Sequence, residues 1–149
     1  MRHSILCGLC ALLPALSICR QHKESIQTDQ APMPIGPYSQ AVSISAPRLL
    51  FISGQIPLDP ETGILHTDLI QATEQVLKNL KAILKQANLD FNNVVKATIF
   101  LKDMDDFTIV NSIYQSFFKE VKIFPARETI QVVRLPKDAC IEISMIAAY

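Results

Sequence analysis

Residues 67–102, TDLIQATEQVLKNLKAILKQANLDFNNVVKATIFLK, hold the pattern that decides the fold. From Thr67 to Asn88 apolar side chains recur at three- and four-residue steps, which predicts an amphipathic helix capped by Thr67 or Asp68. Asn93 to Lys102 then has the length and the β-branched content of a buried strand. A helix followed directly by such a strand predicts a domain in which helices pack against a sheet.

The sequence upstream predicts a loop and two strands. The runs Ala41–Ser45 and Leu49–Gln55 are rich in β-forming residues, and Ala46–Arg48 between them is interpreted as a hairpin connection. Before them, the proline-rich segment Ala31–Tyr38 is unsuited to helix and sheet, because proline fixes φ and lacks the amide donor. This segment is either an ordered loop or a disordered linker.

A second helix and two more strands are predicted downstream. The helix begins at Asp105 and Asp106, whose carboxylates suit the positive end of a helix dipole. Its apolar stripe is more typical of a core than of a ligand site and comprises Phe107, Val110, Tyr114, Phe117, Phe118 and Val121. Strands are predicted at Thr129–Arg134 and Cys140–Ala148. The order β-β-α-β-α-β-β predicts an α+β domain, with two helices on one face of a mixed sheet.

The last strand suggests how the other face of the sheet is covered. Residues 141–148, IEISMIAA, carry apolar groups on both sides, and a chain of 149 residues has no second helical layer to spare. We therefore expect oligomerisation through the open sheet face.

The composition describes one ordinary globular domain without a basic face. Hydrophobic residues make up 49% of the chain and charged residues 19%, and Lys plus Arg equal Asp plus Glu at 14 each. Nucleic acid binding normally needs clustered basic residues, and the chain has no such run. We therefore expect no nucleic acid partner, which leaves small neutral or acidic metabolites as candidate ligands.

The N-terminal segment differs from the rest of the chain. Residues 5–19 are apolar and residues 1–22 are interpreted as an extension, either a signal peptide or an artefact of start assignment, before a domain at 23–149. Because Pro14 interrupts a short run, no membrane association is expected unless the segment is an anchor. The single Cys140 left in the domain favours the cytoplasm, with export as the alternative if residues 1–19 act as a signal.

Several common catalytic motifs are missing from the sequence. There is no P-loop, dinucleotide fingerprint, zinc-spaced cysteine pair or G-x-S-x-G, and the three histidines have no Ser or Cys partner in a recognisable pattern. Cys140 lies in an apolar strand and is interpreted as a core residue rather than as a nucleophile. Chemistry must therefore depend on carboxylates, arginine, tyrosine, backbone groups and water.

Six short motifs occur in an order that resembles one known family. They are Pro34-Ile35-Gly36-Pro37-Tyr38-Ser39-Gln40-Ala41, Ile52-Ser53-Gly54-Gln55-Ile56-Pro57, Asp106-Phe107-x-x-Val110-Asn111-x-x-Tyr114, Phe124-Pro125-Ala126-Arg127, Leu135-Pro136-Lys137 and Ile141-Glu142-Ile143. From about Ser25 to Tyr149 the chain closely resembles the Rid (YjgF/YER-type) family, in its RidA branch of enamine/imine deaminases. The resemblance implies a chorismate-mutase-like two-layer α+β fold, a homotrimer with active sites at the subunit interfaces, and neither metal nor organic cofactor.

The resemblance also implies which residues form the site. Arg127 matches the arginine that grips the substrate carboxylate, and Glu142 matches the carboxylate that polarises the attacking water, which makes these two the catalytic candidates. The residues implied to bind substrate beside Arg127 are Tyr38, Ser53, Gly54, Asn111 and Thr129. Without the resemblance, Arg127 would be interpreted as a surface ion-pair partner. Glu128 next to it could repel an anionic substrate, unless strand alternation turns it to the opposite sheet face.

The implied reaction is the hydrolytic deamination of 2-aminoacrylate or 2-aminocrotonate, as the 2-imino acids, to 2-keto acids and ammonia. Two alternatives stay open at the level of the sequence. One is a non-catalytic trimer that binds a small ligand or a protein, and the other is an RNA-cleaving translation inhibitor.

Overall fold

The computed structural model of the protein describes residues 22–149. Its strands and helices, in chain order, are β1 (His22–Ile26), β2 (Ala41–Ser45), β3 (Leu49–Gln55), α1 (Leu69–Gln86), β4 (Val94–Leu101), α2 (Phe107–Phe117), β5 (Ala126–Gln131) and β6 (Ile141–Ala148). Within residues 22–149, neither helix combines the length and the hydropathy that a membrane span requires. The predicted export signal at residues 1–19 lies outside the described residues.

The helix α1 forms as its apolar spacing predicts. The side chain of Asp68 caps the N-terminus by accepting a hydrogen bond of 3.0 Å from the backbone N–H of Gln71, which settles the choice between Thr67 and Asp68. Its buried residues are Ala72, Thr73, Val76, Leu77, Leu80 and Leu84. This stripe packs on β3 and β6 and against α2, so it forms the centre of the core.

The main sheet is mixed, with the strand order β3-β6-β4-β5. β6 pairs antiparallel with β3 and β4, whereas β4 and β5 run parallel. Alternate residues of β4 and β6 are fully buried, because one face of the sheet packs against the helices. These observations confirm the predicted α+β fold with two helices and a mixed sheet.

Three details of the predicted strands are wrong. The strand β1 was not predicted, because its sequence HKESI has no apolar alternation. Ala46–Arg48 does not connect a hairpin, since β2 pairs with β1 and β3 pairs with β6. Arg48 already exchanges backbone hydrogen bonds with Tyr149, which extends the pairing of β3 with β6. Finally, β5 begins at Ala126 rather than at Thr129, because it pairs in parallel with β4 from Lys96 onward.

Candidate active site

A cavity of about 190 Å³ lies beside Arg127 on β5. It is lined by Ile35, Tyr38, Phe107, Arg127 and Thr129. Arg127 pairs with Ala97 and Thr129 with Ile99 across the β4–β5 ladder, and both partners on β4 are fully buried. Paired residues project from the same side of a sheet, so Arg127 and Thr129 lie on the face that carries the helices.

The Arg127 guanidinium is enclosed by aromatic rings instead of acidic groups. Its Cζ atom lies 5.0 Å from the ring centroid of Tyr114, 5.3 Å from that of Tyr38 and 5.9 Å from that of Phe107. Among residues 22–149, no side chain forms a salt bridge with Arg127, and its buried Nη1 has no hydrogen-bond partner. Burial lowers the pKa of the guanidinium, and Tyr114 and Tyr38 oppose that shift only in part.

A partly buried guanidinium that has no counterion among residues 22–149 indicates a binding site for an anion. Moving a charge out of water is unfavourable unless a partner compensates it, and aromatic rings compensate only in part. A guanidinium stays charged at neutral pH and offers a planar pair of donors that matches a carboxylate. The hydroxyl oxygen of Thr129 in the same cavity is also buried and has no partner within residues 22–149. The cavity therefore contains a positive charge and hydrogen-bonding groups that are available to a ligand.

Asn111 lies in the same region, as the close approach of Gly36 indicates. A Cβ atom at Gly36 would lie 3.3 Å from Nη2 of Arg127 and 3.3 Å from Nδ2 of Asn111. Glycine at this position thus leaves room for both side chains. The structure therefore brings together four of the predicted site residues, which are Tyr38, Asn111, Arg127 and Thr129.

Gly54 and Glu142 form a second group on the other face of the sheet. A Cβ atom at Gly54 would lie 1.8 Å from Oε1 of Glu142, so these residues are in direct contact. Glu142 pairs with Phe100 of β4, three positions from the partner of Arg127, and odd spacing along a strand reverses the face. Ser53 precedes Gly54 where the register of β3 against β6 shifts. In one subunit, Glu142 and Arg127 therefore do not share a cavity.

Glu128 points away from the Arg127 cavity, as strand alternation predicts. Its Oε1 accepts a hydrogen bond of 2.7 Å from the hydroxyl of Thr98, and its Oε2 forms a salt bridge with Lys96. Burial alone would raise the pKa of Glu128, but the hydrogen bonds from Lys96 and Thr98 and the charge of Lys96 lower it overall. The acidic residue beside Arg127 is therefore neutralised on the open sheet face.

The part of the chain that the structure describes has no cluster of three or more His, Cys, Asp or Glu residues that could hold a metal ion. Cys140 is partly buried and packs against the core, and burial raises the pKa of its thiol. A thiol is a poor nucleophile when its pKa is raised. Cys140 therefore behaves as the core residue that the sequence predicts.

A family model described as endoribonuclease L-PSP matches residues 28–149, which is most of the chain. The chain belongs to this family. It is the Rid (YjgF) family that the six motifs resemble. The resemblance stated from the sequence is therefore confirmed.

Named relatives include proteins of differing description. A RutC family protein of Pyrococcus horikoshii is 54% identical over 84% of this chain and 97% of its own length. A 2-iminobutanoate/2-iminopropanoate deaminase of Salmonella typhimurium is 46% identical over 83% of this chain and 96% of its own. The crystal structure of E. coli TdcF with bound serine has 40% identity and a TM-score of 0.65, over 85% of this chain and 98% of that one.

Sequence reasoning placed two site residues in the core. Phe107 and Tyr114 were interpreted as part of the buried stripe of α2. Tyr114 is fully buried in the core as predicted, and the rings of both residues also face the Arg127 guanidinium. Phe107, Asn111 and Tyr114 follow one another at steps of four and three residues, which places all of them on one side of α2. The signal was present, because the family motif contains all three residues.

Proposed function

We propose that this Rid family protein hydrolyses 2-imino acids, such as 2-iminopropanoate and 2-iminobutanoate, to 2-keto acids and ammonia. The observation that carries the proposal is the Arg127 guanidinium, which lies in a cavity without a partner for its buried Nη1 among residues 22–149. The 46% identity to a deaminase with these two substrates in its name supports the same reaction. A 2-imino acid supplies the carboxylate that Arg127 lacks.

The size of the cavity favours a small substrate. Its volume of about 190 Å³ lies below the range of roughly 300–1,000 Å³ that drug-sized ligands occupy. Tyr38, Phe107 and Ile35 give it apolar walls, which suit a short aliphatic side chain. The carboxylate of the substrate is bound at Arg127, and its short alkyl group contacts these walls.

The proposal includes a site that is shared between subunits of a homotrimer. Glu142 and Gly54 lie on the open face, away from the Arg127 of their own subunit. The same face exposes 71% of Phe51 and carries a cavity of about 360 Å³ bordered by Phe51, Lys96, Glu128 and Ile146, among others. A second subunit packed on this face covers apolar surface and brings its Glu142 to a neighbouring Arg127.

In the proposed mechanism, the protein positions the substrate and polarises a water molecule, and no covalent intermediate forms with the protein. Arg127 binds the carboxylate through charge-assisted hydrogen bonds, and Glu142 of the adjoining subunit accepts a proton from water as its oxygen bonds to the imine carbon. Glu142 passes this proton to the nitrogen, which gives the carbinolamine. Glu142 then accepts the hydroxyl proton of the carbinolamine and delivers it to the same nitrogen as the C–N bond breaks, so ammonia leaves with both protons of the water. A C=O bond then replaces C=N. One water is consumed for each ammonia released.

Arg127→Ala tests the proposal. A serine or threonine dehydratase would supply the enamine, and the release of 2-keto acid would be followed with and without the protein. We expect kcat/KM to fall at least about 100-fold, because two charge-assisted hydrogen bonds are lost. Arg134→Ala is the matched control, since this exposed arginine pairs with Asp138 and should keep full activity. Equal keto acid release by wild type and Arg127→Ala would refute the deaminase proposal.

The family description makes RNA cleavage the alternative to exclude. The described cavity lining has no histidine, and Arg127 is its single basic group. We therefore expect no cleavage of single-stranded RNA at physiological salt by protein that is active in the coupled assay. The alternative would be favoured if wild type cleaved RNA, Arg127→Ala lost this activity and Arg134→Ala kept it.

A further inference from the structure

Tyr114 belongs to one of the family motifs in this chain, yet the proposed mechanism assigns it no role. Its side chain is fully buried, and its hydroxyl has no hydrogen-bond partner within the described residues. A buried hydroxyl without a partner is unfavourable, so the hydroxyl does not explain why Tyr114 lies here. The favourable contact is made by the ring, which faces the Arg127 guanidinium.

The ring of Tyr114 is the most firmly held of the three that enclose Arg127. It stacks on Phe118 with centroids 4.2 Å apart and an interplanar angle of 14°, and Phe118 in turn lies 4.6 Å from the ring of Phe91. Tyr38 and Phe107 are both partly exposed at the cavity and lie farther from Cζ of Arg127. Tyr114 thus presents a fixed ring face to a side chain with several rotatable bonds.

An aromatic ring holds a guanidinium without occupying its donors. A carboxylate in the place of Tyr114 would form paired hydrogen bonds with Arg127 and would compete with the carboxylate of a ligand. The ring face instead attracts the cation through its quadrupole and leaves the N–H groups free. Burial raises the pKa of Tyr114, although the charge of Arg127 opposes this, so the phenol stays neutral and does not neutralise the guanidinium.

We propose that Tyr114 is a positioning residue whose ring face fixes the plane of the Arg127 guanidinium, so that its N–H pair is ready for a carboxylate. The inference rests on the proposed function, in which Arg127 binds the substrate carboxylate. The ring carries this role, and the hydroxyl does not. Tyr114 acts through Arg127 and does not line the cavity itself.

The first test measures binding of 2-oxobutanoate, a keto acid product, by titration calorimetry. Tyr114→Leu removes the ring, and we expect the Kd to rise by about 3- to 30-fold, which is the range of a cation–π contact. Tyr114→Phe retains the ring and should bind within about twofold of wild type. In the coupled assay, Tyr114→Leu should raise KM more than it lowers kcat, since the carboxylate contact is present before and during the reaction.

Phe118→Leu is the matched control for loss of a buried aromatic residue. Phe118 is fully buried and stacked on Tyr114 but makes no ring contact with Arg127 in the described part of the chain. The Phe118→Leu variant should lose thermal stability, as Tyr114→Leu does, while its Kd for 2-oxobutanoate stays within about twofold of wild type. The inference would be overturned if Phe118→Leu weakened the binding of 2-oxobutanoate as much as Tyr114→Leu does. It would also be overturned if Tyr114→Phe weakened that binding as much as Tyr114→Leu does.

A second readout does not depend on any ligand. The side-chain 15N signals of Arg127, identified by their loss in Arg127→Lys, report how firmly the guanidinium is held. We expect restricted motion in wild type and Tyr114→Phe, and increased motion in Tyr114→Leu but not in Phe118→Leu. If Tyr114→Leu does not fold, phenylalanines with increasing fluorination at position 114 keep the ring shape and should release the guanidinium stepwise.

The two proposals fail in different ways. If wild type does not bind 2-oxobutanoate or any short keto acid, the role of Arg127 in the proposed function is wrong, and the 15N signals still decide the role of Tyr114. If wild type binds 2-oxobutanoate and the guanidinium is equally restricted in wild type, Tyr114→Leu and the fluorinated series, the positioning role is wrong while the deaminase proposal stands.

Discussion

At the scale of single residues, the candidate site contains side chains with polar atoms that have no partner among residues 22–149. Arg127 is placed among aromatic rings, whereas the exposed Arg134 forms an ordinary ion pair with Asp138. The same β5 strand carries Glu128, whose charge is met by Lys96 on the opposite face. Strand alternation thus separates an acidic and a basic neighbour by the thickness of the sheet. This separation leaves the positive charge of Arg127 available to a ligand.

Gly54→Ala should reduce activity through Glu142. The new Cβ would lie 1.8 Å from Oε1, 2.7 Å from Cδ and 2.9 Å from Cγ of Glu142, so the whole carboxylate must move. Because a positioned general base contributes about 10²- to 10⁴-fold, we expect kcat to fall at least about 10-fold in the coupled assay.

The double variant Gly54→Ala/Glu142→Gln serves as the control for this effect. If alanine acts by displacing Glu142, the double variant is no slower than Glu142→Gln alone. A further loss of the same size in the double variant would mean that Gly54 acts independently of Glu142.

At the scale of elements, the sequence predicted those whose pattern reflects a single buried face. The helix α1 and the strands β4 and β6 each bury one face against the core. The helix was predicted from the period of its apolar residues, and the two strands from their apolar and β-branched content. β1 is mostly exposed, and its pairing with β2 depends on backbone hydrogen bonds that leave no apolar pattern. Phe107 and Tyr114 were predicted as core residues because a ring that contacts a cation is apolar in the sequence, whereas Asn111 was predicted as a site residue.

The docking of β1 gives a prediction about pH. The Nζ atom of Lys23 donates hydrogen bonds to the backbone oxygens of Asn92 and Val94, at 3.2 Å and 2.5 Å. Burial lowers the pKa of Lys23 to about 8, and the charge of Asp90 opposes this only in part. Between about pH 8 and its ordinary pKa of 10.5, the unfolded chain therefore holds the proton on this amine more tightly than the folded chain does.

Stability should therefore rise with pH in this window when measured against Lys23→Met. Below about pH 8 the amine is charged in both states and the unfavourable burial of its charge is fully present. Urea unfolding at fixed protein concentration should give a wild-type midpoint that increases relative to Lys23→Met from about pH 8 to pH 10. Lys122→Met is the control. Lys122 is exposed and, together with Lys23, borders a cavity of about 230 Å³, and its substitution should give no such trend. A constant difference between wild type and Lys23→Met would contradict the prediction.

At the scale of the whole molecule, the proposed shared site accounts for the two separate groups of site residues. Arg127 lies on the helix side of the sheet and Glu142 on the open side, so the proposal requires the open face of one subunit beside the β5 edge of another. In the proposed homotrimer such a contact joins different surfaces, and a ring of three closes it. Each subunit then contributes Arg127 to one site and Glu142 to the next.

This arrangement predicts that two inactive variants restore activity when they are assembled together. The Arg127→Ala subunit retains Glu142, and the Glu142→Gln subunit retains Arg127. Where a Glu142→Gln subunit supplies Arg127 and its Arg127→Ala neighbour supplies Glu142, the site between them contains both intact groups. In a closed ring of three, every mixed assembly has one such site among its three, so the isolated mixed assemblies should approach about a third of the wild-type activity. The variants are co-expressed with different tags, mixed assemblies are isolated through both tags, and their composition is confirmed by native mass spectrometry before the coupled assay. Each variant alone is the control and should stay inactive. Mixed assemblies of confirmed composition without activity would mean that Arg127 and Glu142 do not act in one shared site.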